Sequence, residues 1–127
     1  MGSQQLLLLI VGTLMIGLMI AVGINLFADN AASSNRDAVA NDLAALASRA
    51  QVYQKKPRCL GGGGGSFKGF TLPNSSKNAN GTFSIPVAEN STVTIEGVGN
   101  EIGFDRVTKV KVTVTVAADT ISVAELN

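Results

Sequence analysis

The sequence predicts an α+β protein. A long N-terminal α-helix has a protruding apolar half, and its C-terminal half packs on a small antiparallel β-sheet. Three observations carry this reading. Residues 6 to 28 have no charged side chain. From Asp29 onward the chain turns polar but keeps a helical period. After Gly81 the apolar residues recur every second position.

The first segment opens with "MGSQQLLLLIVGTLM", in which Gln4 and Gln5 head the apolar run. Leu6 to Phe27 is about 22 residues, which at ~1.5 Å per residue reach ~33 Å, close to the hydrocarbon thickness of a bilayer. A surface helix of a soluble protein would place polar residues every third or fourth position. Here only glycines and Thr13 interrupt the run before Asn25. A cleaved secretory signal would show a basic head and a shorter apolar stretch of ~7–15 residues. The first basic residue is Arg36, beyond the run, so a membrane anchor fits better. Basic residues beside a span orient it, and Arg36 by itself would place the head in the cytoplasm. The other reading is that a removed basic leader oriented the segment and left Met1 as the processed N-terminus.

In the second segment, Val39, Leu43, Leu46, Ala50 and Tyr53 recur at spacings of four and three, which is one face of a helix. Asn35, Arg36, Asp42 and Arg49 lie mostly off that stripe, and the alanine content favours helix. One helix is therefore expected from about residue 3 to about residue 54. Asn30 and the Ser33-Ser34-Asn35 stretch are candidate bends. Pro57 ends the helix, because the residue before a proline is pushed out of helical geometry.

"CLGGGGGSFKGF" follows, and five consecutive glycines suit neither a helix nor a central strand. The segment reads as a reversing loop that lies against its own helix or against a neighbouring subunit. Asn80-Gly81 is a turn signal. Beyond it, Phe83, Ile85 and Val87 alternate, as do Val93 and Ile95. Val110, Val112, Val114 and Val116 follow the same rule, then Ile121 and Val123. These are half-buried strands, and the short "ADT" link before the last one suits a hairpin. The chain divides into an apolar helix half (1–28), an amphipathic helix half (29–56), a glycine-rich loop (57–80) and a sheet head (81–127). The expected head core comprises Leu43, Leu46, Tyr53, Phe83, Ile85, Val112 and Val114, with Phe67, Phe70 and Phe104 filling it further.

The run "QQLLLLIVGTLMIGLMIAVGI", the stripe beneath a sheet and the loop "GGGGGSFKGF" together resemble the type IV pilins. The specific sequence likeness is confined to about residues 1–54, and the start looks like a variant with a glutamine-rich mature N-terminus. The resemblance implies a structural subunit that spans the bacterial inner membrane before assembly. It implies processing at Met1 by a prepilin peptidase, which removes a short basic leader and methylates the new amine. It implies partners in the pilus assembly machinery and in further copies of the chain, forming a helical extracellular filament. In that filament the apolar halves would bundle, with Gln4, Gln5, Leu6, Leu8, Leu9, Leu14, Ile16 and Ile20 as assembly contacts. Gln5 is a departure, since most pilins carry a glutamate there that neutralises a neighbour's amine. The mid-helix proline of many pilins is also missing, so Gly17 and Gly23 become candidates for local unwinding, or simply small residues for close helix contact. A minor pilin or type II secretion pseudopilin would share the fold. A membrane-anchored periplasmic binding module that never polymerises is the reading of another class.

The chemistry expected of the chain is slight. It has 127 residues, a formal net charge of +1, one cysteine and no histidine. Without histidine there is no Ser-His-Asp or Cys-His set and no ordinary zinc site. The carboxylates are scattered and form no calcium loop. The expectation is a non-enzyme without cofactor or metal, and without a specific nucleic-acid partner. A phosphate loop needs its lysine directly after the last glycine and a helix thereafter, whereas Lys68 precedes Gly69 and strands follow. Lys55, Lys56, Arg58 and Lys68 form a basic cluster where cations suit the helix dipole, or where they could contact the next subunit. Cys59 reads as a small buried hydrophobe or as an intersubunit crosslink. Asn74, Asn80 and Asn90 each begin an N-x-Ser/Thr triplet, in turns where such residues are common anyway.

Overall fold

The structure, a computed structural model, describes residues 2–72 and 76–126. One α-helix, α1 (Gly2–Lys55), runs unbroken through Asn30, Ser33, Ser34 and all three of its central glycines. A 3-10 turn (Arg58–Leu60) follows Pro57. Four strands then form β1 (Gly81–Ala88), β2 (Thr92–Ile102), β3 (Lys109–Ala117) and β4 (Ile121–Glu125). They pair antiparallel in the order β1-β2-β3-β4, a simple meander.

The sheet packs on the C-terminal half of α1. Val39, Leu43, Leu46, Ala47 and Ala50 of the helix are buried against Val93, Ile95, Val110, Val112, Val114 and Val116 of β2 and β3. A single helix is ~10–12 Å wide, and strands lie ~4.8 Å apart, so one helix covers about two strands. The glycine loop covers the β1 side. It inserts Phe67, fully buried, and lays Phe70 and Leu72 beside Ile85 and Ala88. On the other side β4 has no such cover. Ile121 and Val123 pair with Val116 and Val114, yet they stay 40% and 53% exposed. The alternation in "TISVAEL" marks the strand correctly but overstates its burial.

Two further expectations change. In β1 the register slips between Ser84 and Val87. Pro86 lacks the N–H a ladder needs, and one extra residue fits there as a bulge. A bulge flips the faces beyond it, so Ala88 turns inward and Val87 outward. The second change concerns rings. Tyr53 is half-buried, tilted against Phe70 with centroids 5.5 Å apart, and serves the loop rather than the centre of the head. Phe104 is 47% exposed, with the Arg36 guanidinium 4.5 Å from its centroid. Leu43, Leu46, Phe83, Val112 and Val114 are buried, and Ile85 is half-buried.

Two glycines set how closely the helix approaches. A Cβ on Gly97 would lie 2.7 Å from Val39 Cγ1 and 3.0 Å from the Phe83 ring, and one on Gly99 would overlap Asn35 Oδ1. The side chains of β2 that face α1 therefore taper from Val93 and Ile95 to nothing, and the helix settles into the space.

Candidate assembly and membrane surface

The apolar half of α1 has no cover within the chain. Its large apolar side chains from Leu6 to Phe27 are each 49–77% exposed. They surround the helix: at ~100° per residue, Leu6 and Leu8 point to opposite sides. Leu14 and Val11 occupy one flank between them, and Leu9, Ile16 and Ile20 the other. Covering each such side chain is worth ~1.5–3 kcal/mol. Their sum, tens of kcal/mol, exceeds the ~5–15 kcal/mol that holds a domain folded. Water is thus a poor environment for this segment. Among the described residues α1 is the one helix long and apolar enough to cross a membrane.

Polar detail within this half is sparse. The Thr13 hydroxyl donates to the Leu9 carbonyl at 2.8 Å, which satisfies it inside the helix. Gln4 and Gln5 sit exposed in the opening turns, their amides unengaged by any bond described within the chain. Nothing lies within 4 Å of a Cβ built on Gly12, Gly17 or Gly23. They are gaps in the side-chain coat where another helix backbone could come close. Gly17 and Gly23, the candidates for local unwinding, are both helical in the single chain. Met1 and Asn74 lie outside the described residues.

At the other end of α1 the glycine loop acts as a cap. The last carbonyls of a helix have no partner within it. Here Gly63 N–H donates to Tyr53 O at 2.8 Å, Gly65 N–H to Gln54 O at 2.7 Å and Gly64 N–H to Lys56 O at 3.0 Å. Gly61, Gly64, Gly65 and Gly69 adopt positive φ. Three of the loop's amides are therefore spent on the helix end. Tyr53 Oη donates to Lys68 O at 2.9 Å and ties the loop down further. Of the basic side chains at this end, Arg58 lies against the loop, its Nε donating to Gly63 O at 3.4 Å. Cys59 is exposed rather than buried, on the 3-10 turn that leads into the glycines, of which only Gly63 is buried.

Two of the triplet asparagines, Asn80 and Asn90, bond within the fold. Asn80 Nδ2 and Asn78 Nδ2 both donate to Asp42 Oδ2, at 2.8 and 2.9 Å. Ser66 Oγ bonds Asn90 Oδ1 at 3.1 Å. A glycan on Asn80 would displace its bond to Asp42. These contacts, with Asn35 bonding Asn80 O and the Glu101 N–H at 2.8 and 3.2 Å, pin the head to one flank of α1. Residue types gave no warning of them, since each asparagine is equally at home in a turn.

The base of the head is held where the apolar half emerges. Arg106, on the β2–β3 turn, pairs with Asp29 at 2.7 Å and reaches the Asn25 carbonyl at 3.5 Å. Arg36 pairs with Glu125 at 3.7 Å. The chain matches no protein-family model, no curated protein and no solved structure. What stands is a long N-terminal helix with a small antiparallel sheet on its second half, compatible with a pilin-like fold.

Proposed function

We propose that the chain is the structural subunit of an extracellular type IV pilus-like filament. It waits in the bacterial inner membrane and polymerises through bundling of its N-terminal helices. One observation carries this reading: a continuous 54-residue helix, Gly2–Lys55, whose first half is apolar on every side and uncovered by its own chain. Lipid covers such a half before assembly, and other copies of the same half cover it afterwards. A simple membrane anchor needs the span, but not a rigid continuation of it that serves as the backbone of the head. The residues expected to make the core contacts, from Gln4 to Ile20, all lie in the uncovered half.

The deciding experiment is electron microscopy of filaments sheared from the cell surface, with mass spectrometry of the subunit's N-terminus. Abundant filaments of this chain beginning at a methylated Met1 are expected. Sparse or short filaments built mainly of another subunit would assign a minor pilin or pseudopilin role. A chain with an uncleaved leader and no filaments would be an anchored, non-polymerising module instead.

A further inference from the structure

The two ends of the sheet differ in chemistry. The turns at the end near Lys55 are Glu89-Asn90-Ser91 and Ala118-Asp119-Thr120, with no large apolar side chain. The opposite end, where the apolar half of α1 emerges, exposes Ile102, Phe104, Val107 and Leu126. Val107 is 81% exposed. Such a side chain on a soluble domain usually sits singly and means little. Here it belongs to a group, and its turn is closed by hydrogen bonds. Asp105 Oδ1 accepts the N–H groups of Val107 and Thr108, both at 3.0 Å. Gly103 N–H donates to Thr108 O at 2.8 Å, and Arg106 N–H to Gly103 O at 3.1 Å. Arg106 holds a positive φ of 62° while its side chain reaches Asp29 and the Asn25 carbonyl.

Asn25 and Asp29 bracket the end of the uncharged run, so the turn is fastened at the level where α1 would leave the hydrocarbon of a bilayer. We propose that the β2–β3 turn rests on the lipid surface, with Val107 entering the boundary between headgroups and acyl chains beside the emerging helix. This rests on the membrane-anchored state of the function proposed above. Apolar side chains at that boundary bind in proportion to the area they bury. An apolar turn tied to the foot of the span would limit tilting of the head, as interfacial anchors do for a spanning helix. Lipid is the occupant favoured by continuity, because the turn contacts the very residues at which the span ends.

The chain contains no tryptophan, so single-tryptophan reporters are clean. The full chain would be reconstituted in phosphatidylcholine–phosphatidylglycerol vesicles, with and without acyl chains brominated near the headgroup or at depth. Val107→Trp should show blue-shifted emission and lose intensity to the shallow bromines. Ser91→Trp, at the far end, should lose none, and Leu18→Trp should be quenched by the deep bromines. Val107→Trp quenched no more than Ser91→Trp, with Leu18→Trp quenched, would overturn the turn's docking and leave the span standing. An unquenched Leu18→Trp would overturn the span itself and the docking with it. A blue shift at Val107→Trp that ignores bromine and grows with protein density would assign the patch to a second copy and also overturn the proposal. A nitroxide on Val107→Cys, in a Cys59→Ser background, repeats the measurement with a different probe and without an indole's own preference for the interface. It should favour contact with oxygen over a water-soluble nickel complex, and the reverse would count against docking.

Discussion

Gly99 of β2 lies directly under the Asn35 side chain of α1, so close that a methyl group at Gly99 would overlap Asn35 Oδ1. Asn35 could swing away, but only by giving up its bonds to Asn80 O and the Glu101 N–H. Gly99→Ala should therefore destabilise the head by ~1–3 kcal/mol, in the range of overpacking plus lost hydrogen bonds. Thermal unfolding of the full chain in detergent micelles measures this. In a double-mutant cycle, Asn35→Ala with Gly99→Ala should cost less than the two single changes added together. Full additivity would mean the two residues do not share one contact.

The glycine loop offers a graded test. Gly61 has φ 85° and open space around a built Cβ, so Gly61→Ala meets only the left-handed backbone penalty of ~1–2 kcal/mol. Gly63→Ala would drive a methyl into Ser66 O and to 2.9 Å from the Tyr53 ring. It should cost more, and it alone should reduce hydrogen-exchange protection of the Gly63, Gly64 and Gly65 amides that cap α1. Equal effects of the two variants would argue against the cap.

Asp42 is a single carboxylate serving two asparagines, through Asn78 Nδ2 and Asn80 Nδ2. Asp42→Ala should loosen the turn that leads into β1 and lower stability by ~1–3 kcal/mol, read by thermal unfolding. Asp42→Asn keeps one acceptor oxygen but loses the charge. It should fall between the wild type and Asp42→Ala.

The filament reading predicts that Leu8→Asp or Ile16→Asp abolishes piliation, because each would place an unpaired charge among packed apolar helices. Gln5→Glu should be tolerated if the amide only stands in for an acid near a neighbour's amine. Filament yield by electron microscopy scores all three. Normal yield from either aspartate variant would contradict the bundled core, and loss of filaments in Gln5→Glu would show that the site is built for a neutral group.

Hydrophobic pattern, with Pro57 as the stop, determined the extent of α1, its change of character near Asp29, and the existence of four strands. Each of these follows from local periodicity, which is written into consecutive residues. The stripe Val39, Leu43, Leu46 and Ala50 was legible for the same reason. The tertiary structure decided what covers what. One helix is wide enough for about two strands, so equal alternation left β2 and β3 buried while Ile121 and Val123 of β4 stayed open. A proline bulge reversed Val87 and Ala88, because side-chain parity counts residues in register and not along the chain. Gly97 and Gly99 look like weak points in a strand until the helix is laid across them. The Arg106–Asp29 pair joins residues far apart in sequence, and only folding brings the β2–β3 turn down to the foot of the apolar helix.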